Sequence, residues 1–291
     1  VVYLHRIPYE QRCALFALSI ATFTWLTPYV YCADLKYKTV SSEVLLARLK
    51  NAPNKNPDRA AALSNMFKQA GCEPTDEAVK GVREPNVLCV LRGSSDSTIV
   101  VGAHIDHVED GDGIVDDWSG ASMLPALYES LAGEPRTHTF LFVGFAGEER
   151  GAVGSEFYVK HLTPQQRVQV AGMVNLECLG MTSTKVWAHY SDPIFVRMLF
   201  AISESLKLPL NAVNVEDVAS DDAQSFTRYK IPHITIHSVT PATFPYLHSK
   251  NDTLQAINPD LYYDSYRMIA PFLVSLDQQV PTDGSPIGKP K

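Results

Sequence analysis

Thr98-Ile99-Val100-Val101-Gly102-Ala103-His104-Ile105-Asp106 is the stretch on which the reading of this chain turns. Its first part is apolar, small or β-branched without polar alternation, which is the pattern of a strand covered on both faces. It then breaks into His-x-Asp. Two further runs repeat the design. Residues 138–145 lead into Ala146-Gly147-Glu148-Glu149, and residues 171–176 lead into Glu177. Open α/β sheets place their ligands beyond the carboxyl ends of the strands. Each central strand therefore delivers a metal-type ligand to the same edge.

The surrounding sequence supplies the rest of such a sheet. Short strands are predicted on both sides of the turn at Arg83-Glu84-Pro85, the second at 87–91, with others at 185–189 and 231–237. Helices are predicted from the opening Val40-Ser41-Ser42-Glu43 to Lys50, from Asn56 to Gln69 with Pro57 at a helix-start position, and over 119–131, 154–161, 192–206, 223–228 and 259–276. Strands alternating with helices imply an α/β fold, with a mixed, mostly parallel central sheet sandwiched by helices.

With 291 residues, 45% of them apolar, the chain can bury one large core, and residues 34–280 are expected to form a single domain. Residues 1–33 differ. Arg6 and Arg12 precede an almost uncharged run over 13–33 that ends Tyr31-Cys32-Ala33, before the polar Asp34-Leu35-Lys36. This reads as a cleaved export signal, giving a secreted or periplasmic protein without stable membrane association. The alternative is an anchor helix over 13–33, although Pro28 sits inside it. The Pro/Gly/Lys-rich residues 281–291 read as a frayed, disordered tail. Setting aside Arg6, Arg12 and Glu10 leaves 23 basic against 31 acidic residues, a net charge near −8. An acidic chain without basic runs argues against nucleic acid and anionic membranes as partners. Beyond residue 33 the cysteines are Cys72, Cys89 and Cys178. A Cys72–Cys89 bridge in an oxidising compartment and buried free thiols are both open readings.

Four segments carry chemistry. His104-x-Asp106 pairs an imidazole ligand with a carboxylate able to orient it. Asp116-Asp117-Trp118-Ser119-Gly120 opens a helix with two carboxylates. One of them, Asp116, is placed to bridge two cations, and Asp117 to cap the helix. Glu148-Glu149 follows a strand directly, so that one carboxylate can bind metal while the other handles protons. Tyr246-Leu247-His248 precedes Asp252-Thr253 in a loop and supplies another imidazole.

In this order the segments resemble a zinc metallopeptidase family of bacterial leucyl-type aminopeptidases, glutamate carboxypeptidases and glutaminyl cyclases, over roughly residues 40–277. The resemblance implies two Zn²⁺ per chain. His104 and Glu177 would complete one ion and Glu149 and His248 the other, with Asp116 bridging and a cis peptide leading to Asp117. It implies that Glu148 is the general base for a water held between the ions and that Asp106 supports the ligands from behind. Ser220-Asp221-Asp222 is similar to a family Ser-Asp segment near the cleft. Two departures stand out: Glu177 where many aminopeptidases carry Asp, and Leu247 where some carry Tyr.

The implied activity is an exopeptidase, a di-zinc aminopeptidase acting on peptides with a free N-terminus. The alternatives are a dipeptidase or carboxypeptidase on the same fold, a glutaminyl cyclase-like acyltransferase, and a non-catalytic receptor-like domain. Arg150 and Arg228 are the basic residues near candidate loops that a carboxypeptidase would need. His233 and His237, on one strand face with Thr235 between them, read as neutral, hydrogen-bonded structural residues. Phe244, Pro245 and Tyr246 are candidates for a pocket wall or for loop packing.

Overall fold

The computed structural model describes residues 34–215, 221–283 and 285. The export segment, Ser220 and most of the tail read from the sequence lie outside them. Helices α1 (Ser42–Lys50) and α2 (Asn56–Gln69) come first, then strands β1 (Thr75–Glu77), β2 (Asn86–Leu91) and β3 (Thr98–His104). They are followed by α3 (Ser119–Ala132), β4 (Thr139–Phe145), α4 (Val153–His161), α5 (Pro164–Gln169) and β5 (Val170–Glu177). The chain continues through β6 (Lys185–Val186), α6 (Pro193–Leu206), β7 (Asn211–Ala212), α7 (Gln224–Thr227), β8 (His233–His237) and α8 (Pro259–Gln279).

The strands form one eight-stranded sheet in the order β1-β2-β4-β3-β5-β8-β6-β7. Its centre, β4-β3-β5-β8, is parallel, while β1, β2 and β6 pair antiparallel with their inner neighbours. The apolar runs explain the layering. Ile99, Val101 and Ala103 of β3 enter a core shared with α1, α2, α3, α6 and α8, whereas Val100 enters a second core with Tyr158 and Val159 of α4 and Phe226 of α7. Alternate residues of one strand thus feed both faces. Helix starts are local. Asp192 accepts the amides of Ile194 and Phe195, Asn258 accepts those of Asp260 and Leu261, and a proline follows each cap.

The expected strand at 185–189 is shorter than the sequence pattern suggested. Pairing ends at Val186, and Ala188–Tyr190 turns as a 3₁₀ helix. The ladder with β8 holds only two positions there, and after one more bond, from the Trp187 amide to the Thr235 carbonyl, the chain turns away. Helix α5, with a Thr163–Gln166 capping box, carries too little apolar periodicity to have been read from sequence. Cys72 and Cys89 form a disulfide between the end of α2 and β2, and Cys178 is a buried free thiol. Among the described residues no helix is long and apolar enough to cross a membrane.

Candidate functional site

Four site residues leave the sheet where the sequence placed them. His104 ends β3, Glu177 ends β5, and Glu148 and Glu149 occupy a 3₁₀ turn just after β4. Asp116 lies before α3, and a cis peptide joins it to Asp117. His248 comes from the loop between β8 and α8.

These residues converge on the two oxygens of Asp116. His104 Nε2 lies 2.9 Å from Asp116 Oδ1 and 3.3 Å from Glu177 Oε1. His248 Nε2 lies 3.1 Å from Asp116 Oδ2 and 2.9 Å from Glu149 Oε2. Each oxygen of Asp116 therefore faces a different imidazole, and each imidazole reaches a different glutamate. The other oxygen of Glu149, Oε1, is buried with no hydrogen-bond partner.

The imidazole of His104 is set for a cation. Its Nδ1 donates to the main-chain carbonyl of Asp106 at 2.9 Å. A carbonyl only accepts, so Nδ1 carries a proton, and in the neutral ring that a cation requires the Nε2 lone pair would be turned toward the acidic cluster. The Asp106 carboxylate is 3.8 Å from Nδ1, an ion-pair distance, and does other work. Its oxygens accept the amides of Glu148 and Glu149 at 3.0 and 3.2 Å. Asp106 thus supports His104 through its backbone and the Glu-Glu turn through its side chain.

Asp117 is a tie rather than a member of the converging pairs. It accepts the amides of His104 at 3.3 Å, Gly120 at 3.0 Å and Cys178 at 3.0 Å. It caps α3, as the sequence allowed, but it is fully buried and also joins the ends of β3 and β5. Ser119 Oγ donates to the Val115 carbonyl and accepts the Leu179 amide. A Cβ at Gly120 would sit 2.6 Å from Asp117 Oδ2, so only glycine fits there.

So many buried carboxylates shape the protonation of the site. Burial works to raise Asp116, but hydrogen bonds from His104 and His248 outweigh it and hold its carboxyl low. Hydrogen bonds to Asp116 and Glu149 lift His248 to about 10. Burial disfavours charge on His104, yet Glu177 and the neighbouring aspartates raise it well above the usual range. Burial lifts Glu148 to about 10; the charge of His104 opposes this, while those of Glu177 and Asp222 add to it. Burial also lifts Asp222 to about 8, and neither of its oxygens has a hydrogen-bond partner among the described residues.

The cluster opens into a cavity of about 390 Å³. Trp187, Val215, Val239, Phe244, Pro245 and Leu247 supply apolar wall, and Thr235, His237 and Asp221 also line it. Phe244 and Pro245 thus face the cavity, whereas Tyr246 is exposed and takes no part in the lining. His237 is structural as read, donating from Nε2 to the Val213 carbonyl and accepting the Val239 amide at Nδ1. Burial depresses it to about 4. Its place in the cavity wall was not foreseen, because the strand pattern gives a face but not what lies over it. Arg150 donates to the Gly81 carbonyl, Arg228 pairs with Glu156, and neither lines the cavity. A larger cavity of about 710 Å³ lies between the start of α2 and the 107–112 loop, and none of the five converging residues lines it.

The fold and the paired His/carboxylate clusters define a metallopeptidase-type site on an α/β sheet. The profile of peptidase family M28 matches residues 86–273, and the chain belongs to that family. It is 29% identical over 133 residues to leupeptin-inactivating enzyme 1 of Streptomyces exfoliatus, covering 45% of this chain and 30% of that protein. It is 24% identical over 207 residues to a probable leucine aminopeptidase of Arthroderma benhamiae, covering 66% of this chain and 58% of that protein. The chain thus spans less than two thirds of the length of these relatives. Among solved structures it is similar to the LapA aminopeptidase of Legionella pneumophila, with a TM-score of 0.72 at 20% identity, covering 82% of this chain and 71% of that one. It is also similar to a glutaminyl cyclase of Tannerella forsythia, with a TM-score of 0.66 at 16% identity, covering 82% and 99%. These structural likenesses share the fold. Membership of M28 and the donor set, two imidazoles among buried carboxylates, both imply zinc.

Proposed function

We propose that residues 34–280 form a di-zinc aminopeptidase. The observation that carries this reading is the make-up of the cavity wall. Its lining includes the carboxylates of Asp116, Glu148, Glu149, Glu177 and Asp221 and, among the described residues, no Lys or Arg. With three of those carboxylates given to the ions, the wall offers, among the described residues, no Lys or Arg to pair with a substrate carboxylate, which favours an aminopeptidase over a carboxypeptidase.

His104 and Glu177 would hold one ion and Glu149 and His248 the other, with one oxygen of Asp116 turned to each. The two-sided use of Asp116 favours this over a one-ion, cyclase-like site. When bound, the ions supply Lewis acidity and activate water. Glu148, on the cavity wall beside the cluster, takes a proton from the attacking water and delivers it to the leaving amine. Asp106 fixes the turn that carries Glu148 and Glu149. The apolar wall from Trp187 to Leu247 receives the first side chain of the substrate. The Cys72–Cys89 disulfide supports the export reading, because such bonds persist in oxidising compartments.

A panel of aminoacyl and dipeptide substrates, free and N-blocked, with and without chelator, tests this. Chelator-sensitive cleavage of free-amine substrates alone is expected. Cleavage confined to N-blocked substrates, or cyclisation of N-terminal glutamine, would refute it. Zinc content near two per chain is expected alongside.

A further inference from the structure

Four of the five proposed ligands sit on or beside the central sheet and the start of α3. His104 ends β3, Glu177 ends β5, Glu149 follows β4, and Asp116 is joined through Asp117 to the ends of β3 and β5. His248 is different. It lies in a loop, at a positive φ of 53°, and its side chain is 56% exposed.

The hydrogen bonds show what holds that loop opposite Asp116. Asp252 Oδ1 accepts the Val115 amide at 2.7 Å, and Oδ2 accepts the Asp116 amide at 3.3 Å. The Asp252 carbonyl accepts the Asp112 amide at 2.8 Å, and its own amide donates to the Ser249 carbonyl at 3.0 Å. Gly111, at φ 88°, lets the two loops touch; a Cβ there would sit 2.2 Å from the Ser249 carbonyl oxygen. Beneath them the fully buried Arg59 donates to the carbonyls of Asp112 and Gly113 and lies over the Trp118 ring. Asp252 is 2% exposed and does not line the cavity. Its carboxylate is spent on the backbone that presents Asp116, four residues after the imidazole of His248.

We propose that Asp252 is a positioning residue that sets the spacing between Asp116 and His248. It governs the metal site on the Glu149–His248 side and leaves the His104–Glu177 side intact. This rests on the two-ion reading above. An asparagine at this position keeps the shape but turns an N–H₂ toward one of the two amides, so one leg of the clamp becomes repulsive.

The test is calorimetric titration of chelator-stripped protein with Zn²⁺, and with Co²⁺ followed by its visible absorption. Wild type is expected to take two equivalents. D252N should bind the first as wild type does and the second at least tenfold more weakly, while D252E, which keeps two acceptors, restores part of the loss. In an H248A background, D252N should leave the remaining equivalent unchanged. Should D252N not fold, G111A separates the same loops from the opposite side and should weaken the second equivalent alone. Equal weakening of both equivalents, a further loss in the H248A background, or unchanged binding in D252N and G111A each overturns the proposal. One equivalent in wild type overturns the two-ion reading instead.

Discussion

The Asp106 carboxylate accepts the main-chain amide of Glu148 at 3.0 Å, and its second oxygen accepts that of the next residue. One side chain thus holds the turn on which both glutamates stand. The backbone carbonyl of Asp106 separately orients His104.

That division predicts the behaviour of D106N. The carbonyl remains, so His104 keeps its tautomer, but the amide side chain can satisfy only one of the two turn amides. We expect kcat to fall by about 10- to 100-fold, in the range of other residues that support metal ligands from behind. KM should change little and the zinc content should stay near wild type. Steady-state kinetics with metal analysis on the same preparation checks this, and loss of zinc in step with activity would assign Asp106 to metal retention instead.

Glu148→Gln separates proton handling from metal binding. The glutamine is isosteric and Glu148 is not one of the residues paired with His104 or His248. Zinc content is expected to persist while kcat falls by about 100- to 10,000-fold, the usual worth of a positioned general base. Normal turnover in this variant would sink the base assignment.

Much of this site was legible before the fold was seen, and the reason is positional. His104, Glu149 and Glu177 each end or follow a nearly continuous apolar strand, so a local pattern also gives their place in space. Asp116 was legible as the acidic start of a helix. His248 carried no such signal, since it sits in a loop, and its reading came from family resemblance. The supports were hidden for another reason. Asp117, Asp252 and Arg59 act on backbone groups of segments far away in sequence, as when Asp252 meets Val115. Spacing within one segment cannot reveal such pairings. The short strands β6 and β7 were overread or missed because two paired residues leave almost no periodic signal.

The Cys72–Cys89 disulfide closes a loop with a sequence separation of 17. Chain-entropy arguments give such a cross-link about 3 kcal/mol. Both sulfurs belong to buried residues packed in the larger core, so reduction should lower stability without touching the site directly. Denaturant unfolding of the oxidised protein and of the double Cys→Ser variant should differ by about that amount, with kcat nearly unchanged at 25 °C. Equal midpoints would show that the bond does not contribute.

Metal loading should reverse the way stability depends on pH. Without cations, His248 and Glu148 both titrate near 10 in the folded protein, His248 because of its acidic partners and Glu148 because of burial. Their ordinary values are 6.5 and 4.5. Folded-state values above the unfolded ones mean that the folded form binds more protons, so stability declines as pH rises. The contribution of Glu148 is full below pH 4.5 and that of His248 below 6.5, and both are lost on approaching about 10. Asp252 and Asp222, raised by burial to about 6 and 8, act in the same direction. Asp116 and Asp106, held low, act oppositely, but only below the ordinary carboxylate range. The metal-free protein should therefore melt at progressively lower temperature from about pH 5 to pH 9. Cations need neutral imidazole and ionised carboxylates, so their uptake must expel these protons and tighten as pH rises. Thermal melts with chelator should slope downward over this interval, and melts with saturating zinc should be flat or rising. Calorimetry in two buffers of different ionisation enthalpy should register net proton release at pH 7. Parallel melting curves with and without metal, or uptake with no proton released, would contradict the protonation assigned to His248 and Glu148.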